Sequence, residues 1–178
     1  FVVLATQNPV GSAGTQLLPE SQMDRFMIRI SLGYPSAGEE MRILKDRKGS
    51  RPLDWVEPAV SAAELVQMQK EIDEIYIKNS MYEYMIELVR ATRKHPLLEA
   101  GASPRGSLAL SRMASARAYT QGRDYCIPED VRFCFADTIG HRLVLSARAR
   151  AGKADPRQIL AQILEEIPSP KGREKSGA

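Results

Sequence analysis

Cysteine is close to absent from this 178-residue sequence, with Cys126 and Cys134 as its two copies. No Cys or His cluster stands at metal-ligand spacing around them, so neither a disulfide framework nor a zinc site is indicated, and a reducing compartment fits. Charge of one sign is equally scarce. Twenty-five Lys and Arg against 22 Asp and Glu leave +3, too little to argue for a nucleic-acid partner from charge. No apolar run approaches the roughly 18–20 residues that a bilayer span needs, which reads as a soluble chain. A phosphate-cradling loop is missing as well. At Gly152-Lys153 such a loop would need Gly at 147 and Ser or Thr at 154, and both positions are Ala. Nor does a run of acidic residues follow a hydrophobic strand to hold Mg²⁺. What remains is ordinary globular composition, 43% apolar and 26% charged, which argues against disorder and collagen-like repeats. At roughly 150 residues per domain, the length allows one domain or two small ones.

The opening Phe1-Val2-Val3-Leu4-Ala5 has neither the basic region nor the small-residue cleavage pattern of a signal peptide. A short, wholly apolar run predicts a strand, here residues 1–6, buried on both faces as in a parallel sheet. Such a strand needs neighbours, so the chain reads as the C-terminal part of a longer protein. Gln7-Asn8-Pro9 ends the strand, and residues 10–15, with Gly11 and Gly14, form a loop by composition. Residues 19–25 have room only for a short helix or turn. A second strand is expected over 26–32, closed by Gly33-Tyr34-Pro35. Ser36 and Glu39 make a capping box for a helix over 39–48, which Gly49-Ser50-Arg51-Pro52 ends.

From there the pattern is helical. Ser61 and Glu64 form a second capping box, followed by an apolar stripe of Leu65, Met68, Ile72 and Ile75. Asn79 or Ser80 caps the next helix, with Tyr82, Met85, Ile86 and Val89 on one face. Ser103-Pro104 starts a helix reaching Tyr119 or Thr120 before Gly122, Pro128 starts one reaching about Leu145, and Asp155-Pro156 starts the last. Two unlike pieces emerge: an α/β remnant over 1–35 and a helical bundle over 59–167. A connecting helix and linker over 36–58 join them, and a polar tail over 168–178 is expected to be disordered.

Few residues could carry chemistry. Asn8 follows a buried strand, where open α/β sheets place ligands; it either orients a water or touches a phosphate oxygen, or it simply makes a turn with Pro9. Arg25 is either a guanidinium aimed at phosphate, including phosphate on a neighbouring subunit, or a surface partner of Asp24 or Glu20. Arg105 sits at the second position of the helix begun by Ser103-Pro104, where the helix dipole disfavours a cation. An anion docked at that helix start would account for it, and so would an Arg stem packed over a neighbouring helix. His95 reads as a helix-terminal residue, and His141-Arg142 as a structural or interface pair. Tyr119, Tyr125, Phe133 and Phe135 read as core or as a base-stacking platform.

Together, Ala5-Thr6-Gln7-Asn8-Pro9, Leu18-Pro19-Glu20 through Asp24-Arg25-Phe26, Gly33-Tyr34-Pro35-Ser36 and Gly101-Ala102-Ser103-Pro104-Arg105 resemble the MoxR family of AAA+ ATPases. The resemblance runs to His141-Arg142 and fades in the final helix. It implies a mainly α fold, a helical lid bundle preceded by the last two strands of an AAA+ α/β core. In its terms Asn8 is sensor 1, Arg25 the arginine finger and Arg105 sensor 2. The parent would be a cytoplasmic ATPase using ATP and Mg²⁺ in a homo-oligomeric ring, a hexamer, to remodel client proteins such as those with von Willebrand factor A domains. This segment, lacking Walker A and Walker B, is expected to hold neither ATP nor metal. Gly11-Ser12-Ala13 and Gln16-Leu17 depart from the family's usual acidic-polar stretch and Tyr-Pro. The rival expectations are a non-enzymatic helical module that binds protein or nucleic acid, and a chelatase- or helicase-type AAA+ motor. The small net charge disfavours the helicase.

Overall fold

The computed structural model describes residues 2–7, 18–47 and 55–170. Asn8, the divergent stretch 11–17, the helix stop at 49–52 and residues 171–178 lie outside the described residues.

The protein is mainly α, as the helical periodicity predicts. Its elements run α1 (Glu20–Met23), α2 (Ala37–Asp46), α3 (Ala62–Asp73), α4 (Asn79–Thr92), β1 (Leu98–Ala100), α5 (Pro104–Thr120), α6 (Pro128–Ile139), a 3₁₀ turn (Gly140–Arg142), β2 (Val144–Leu145), α7 (Ala147–Ala151) and α8 (Pro156–Glu166). Both expected capping boxes form. Glu39 accepts from the Ser36 N–H at 2.7 Å, and Glu64 from the Ser61 N–H at 2.8 Å, which holds both carboxyls below their usual pKa. Gly122 stops α5 with φ at +68°, a backbone angle that glycine adopts without a Cβ penalty.

The core lies where α4, α5, α6 and α8 meet. Leu88, Val89, Leu110, Val131, Phe135, Ile139, Leu160 and Ile163 are all buried there. The buried face of α4 is Met81, Tyr84, Met85, Leu88, Val89 and Thr92. Tyr82 and Ile86, expected inward, are exposed, because the true stripe is set one residue back and gathers six positions at three- and four-residue spacing. The stripe expected on α3 is only partly covered, with Leu65 and Met68 exposed and Ile72 half-buried. α3 docks on α5 through the Tyr119 hydroxyl, which donates to Glu71 at 2.6 Å.

Two differences concern strands. The segments 2–7 and 26–32 carry no regular secondary structure. Val2, Val3, Leu4 and Leu32 are exposed. A strand is defined by its ladder and a doubly buried one by covers on both faces, and the described residues supply neither to these segments. The strands that do form lie within the helical part. α6 ends at Ile139 instead of continuing to Leu145, and β2 pairs antiparallel with β1, Leu98 opposite Leu145. Gly140 and the β-branched Val144 favour that exit over further helix. Among the described residues, no helix is long and apolar enough to cross a membrane.

Candidate functional site

The start of α5 is fixed by close backbone packing. A Cβ on Gly101 would lie 2.5 Å from the backbone of Thr92 and Arg93, so only glycine lets this loop touch the end of α4. The buried Thr92 hydroxyl donates to Val89 O at 2.6 Å and accepts from the Ala102 N–H at 3.0 Å. Arg93 Nε donates to Ala102 O at 2.7 Å. Ser103 takes the N-cap position, yet its hydroxyl does not cap the helix. It turns instead to Asp24, with Oγ 3.1 and 3.3 Å from the two carboxylate oxygens. Pro104 occupies the first helical position, where its missing N–H costs nothing. Arg105 follows, exposed to solvent.

The other half of the site comes from the 3₁₀ turn. Arg142 is buried, with 1% of its side chain exposed. Its Nε donates to Asp24 Oδ1 at 3.1 Å, and Nη2 donates to the carbonyls of Asp24 at 3.2 Å and Phe26 at 2.6 Å. Nη1 donates to Met27 O at 3.3 Å and to Thr138 O. Burial pulls the Arg142 pKa down and the Asp24 carboxylate opposes this; a guanidinium so placed stays charged. Beside it, His141 Nε2 lies 3.1 Å from Phe26 O, which can only accept, so Nε2 carries the proton, and Nδ1 is buried with no well-formed hydrogen bond among the described residues. Burial, and then the Arg142 charge, lower the His141 pKa, keeping the ring neutral at pH 7. A small cavity of about 90 Å³ is lined by Asp24, Gly101, Ser103, His141 and Arg142, among others.

Of the residues singled out in the sequence, Arg25 and Arg105 both border this knot, Arg25 next in the chain to Asp24 and Arg105 two residues beyond Ser103. Arg25 lies in the turn after α1, exposed, its backbone N–H donating to Gln22 O at 3.1 Å. Its neighbour Asp24 pairs with Arg142 and not with Arg25. Arg105 is near enough for its charge to depress the Arg142 pKa. Among the described residues neither Arg25 nor Arg105 has an ion-pair partner. Asn8 lies outside the described residues.

The remaining candidates have structural places. His95 Nδ1 accepts from the Leu97 N–H at 3.3 Å. Phe135 is core, Tyr119 bonds Glu71, and Arg117 stacks over Phe133 at 3.9 Å, so these aromatics do not form one platform. Cys126 and Cys134 are free and buried, and burial pushes their thiols up to about 12 and about 11. No metal-holding group of three His, Cys, Asp or Glu exists among the described residues. Sequence reasoning missed Asp24, Ser103 and Arg142 as partners. The available signal was an Arg late in an apolar helix, since a buried guanidinium demands a carboxylate from somewhere.

Comparison with known proteins agrees with this layout. Residues 90–163 match the AAA lid domain, and residues 1–28 match the ATPase family associated with various cellular activities. YeaC of Bacillus subtilis, an uncharacterised protein, is 38% identical over 96% of this chain and 53% of its own length. The chaperone MoxR1 of Mycobacterium tuberculosis is 36% identical over 96% of this chain and 47% of its own. A crystal structure of a candidate ATPase from Cytophaga hutchinsonii superposes with a TM-score of 0.84 at 34% identity, over 93% of this chain and 53% of that one. The chain therefore spans about half the length of these relatives. Fold, motif order and relatives concur: this chain belongs to the MoxR family of AAA+ ATPases.

Proposed function

We propose that this chain is the finger, sensor and lid portion of a protein of its relatives' full length, one that hydrolyses ATP in a ring and uses the motion to remodel client proteins. The observation that carries the reading is that two exposed arginines, Arg25 and Arg105, neither with an ion-pair partner among the described residues, flank the ion pair between Asp24 and the buried Arg142. Two exposed cations flanking one ion-paired knot suit a polyanion such as a triphosphate. ATP would supply the phosphoryl group for transfer. Mg²⁺ would find its ligands elsewhere, since the described residues offer no acidic cluster.

In this reading Arg25 is the arginine finger. Its fork meets negative charge that grows on the γ-phosphate of a neighbouring subunit as the bond to the leaving group lengthens. Arg105, with the free N–H groups at the start of α5, binds the same phosphates and ties the lid to nucleotide state. Asn8 is sensor 1, a neutral amide that orients the attacking water without adding charge. A hexameric ring, clients with von Willebrand factor A domains and a cytoplasmic setting complete the proposal, the last in keeping with two free, buried cysteines. MoxR1, described as a chaperone, supports the remodelling role.

Because these 178 residues contain no G-x-x-x-x-G-K-[ST] sequence, the chain alone is expected neither to bind ATP tightly nor to turn it over. In the full-length protein, Arg25→Ala should reduce hydrolysis by about 10³-fold or more, the range for arginine fingers, and leave ATP affinity intact. Retained turnover in that variant, or low-micromolar binding with turnover by the 178 residues alone, contradicts the assignment.

A further inference from the structure

We propose that Arg142 is the positioning residue for Arg25. Its buried guanidinium shapes the turn that displays Arg25 and, through Asp24 and Ser103, fastens that turn to the helix start that displays Arg105. Both cations then move with the helical bundle as one body. The proposal rests on the finger reading of Arg25.

The hydrogen bonds argue for it directly. A guanidinium has five N–H donors, and Arg142 places all five on oxygens: Asp24 Oδ1 and the carbonyls of Asp24, Phe26, Met27 and Thr138. Three of those carbonyls, at positions 24, 26 and 27, bracket residue 25. With no donor left over, Arg142 cannot itself meet a substrate, and its influence must pass through the backbone it holds. α1 is four residues long, too short to maintain its own shape, because a single helical turn is a costly nucleus. The template therefore comes from outside, from the 3₁₀ turn that follows α6. Space is reserved for it: a Cβ on Gly106 would lie 3.3 Å from Arg142 Cδ. The Arg29 N–H adds a second tether to α6, donating to Asp137 O at 3.0 Å.

Lysine is a poor substitute, since an ammonium has three donors and no planar fork to span several carbonyls. Arg142→Lys should keep part of the Asp24 ion pair and lose the template. A charged group displaced by about 1 Å can cost about 100-fold in rate. The defect should therefore appear in kcat and not in nucleotide binding.

The test is a double-mutant cycle in the full-length protein, joined to amide hydrogen exchange on the 178-residue chain. Arg142→Lys should lower kcat at least about tenfold and shift KM for ATP less than about twofold. In the Arg25→Ala background it should change kcat less than about twofold, because the residue being positioned is gone. An equal loss in both backgrounds, or no loss in either, overturns the proposal. If Arg25→Ala alone leaves kcat intact, the finger reading falls instead, and exchange then decides the structural claim by itself. Arg142→Lys should strip protection from the Phe26 and Arg29 amides and spare those of Leu110 and Phe135 in the core. Loss at all four would show a general folding role and overturn it, as would protection unchanged at Phe26 and Arg29.

Discussion

Gly101 and Gly122 are both glycines near helix ends, and they are needed for different reasons. At Gly101 the obstacle is space, since an added Cβ would sit 2.5 Å from neighbouring backbone. At Gly122 nothing lies within 4 Å, and the obstacle is the φ of +68° alone. Gly122→Ala should cost about 1 kcal/mol, the usual penalty for a left-handed residue. Gly101→Ala should cost more, about 3 kcal/mol, because two backbone segments must separate. Urea unfolding of both variants checks the order, and an equal loss would mean that the α4–α5 contact relaxes freely. Arg142 makes a related point about charge. It is worth having inside only because Asp24 and four carbonyls take its donors, and removing one member of such a group leaves the others buried and unpaid.

At the scale of elements, capping boxes and Ser-Pro or Asp-Pro starts were legible because each is a local bond or a fixed φ. The expected ends of α5, and the start of α8 at Pro156, agree with the structure for that reason. What escaped was set by distant partners. Ser103 has the sequence of an N-cap, but its hydroxyl is drawn to Asp24, 79 positions away in the chain. β1 and β2 are three and two residues long, too short to leave a periodic signal, so the sequence pattern alone extends α6 to Leu145. Arg25 and Arg105 were visible as odd cations, but nothing local could show that one buried guanidinium brings their elements together.

The attachment of the α1 turn to the 3₁₀ turn should also depend on pH. His141 is neutral and half-buried, with its folded pKa held below the ordinary histidine value of about 6.5 by burial and by the Arg142 charge. The unfolded chain therefore takes up the proton first, and stability present above about pH 6.5 is lost as pH falls toward the folded pKa. The carboxylates of Glu39 and Glu64, lowered by capping, titrate further down. His141→Gln keeps a donor for Phe26 O and should flatten the decline between about pH 7 and pH 5. Unfolding midpoints across that range check it, and an unchanged slope would assign the dependence to other groups.

For the molecule as a whole, near-neutral charge and a scarcity of cysteine proved less informative than the arrangement of two cations. Exposed apolar side chains in the segment 2–7 and on α2, such as Leu4 and Leu44, stand apart from the closed core of α4, α5, α6 and α8. Under the proposed finger role, function belongs to the assembly, with Arg25 completing the site of a neighbouring subunit. Subunit mixing tests that claim most directly. Full-length Arg25→Ala protein is combined in equal amounts with a full-length variant lacking the phosphate-loop lysine, each inactive alone. Random rings place an intact Arg25 beside an intact phosphate loop at about one junction in four, so roughly a quarter of wild-type ATPase activity should return. A mixture as inactive as its components would contradict the account.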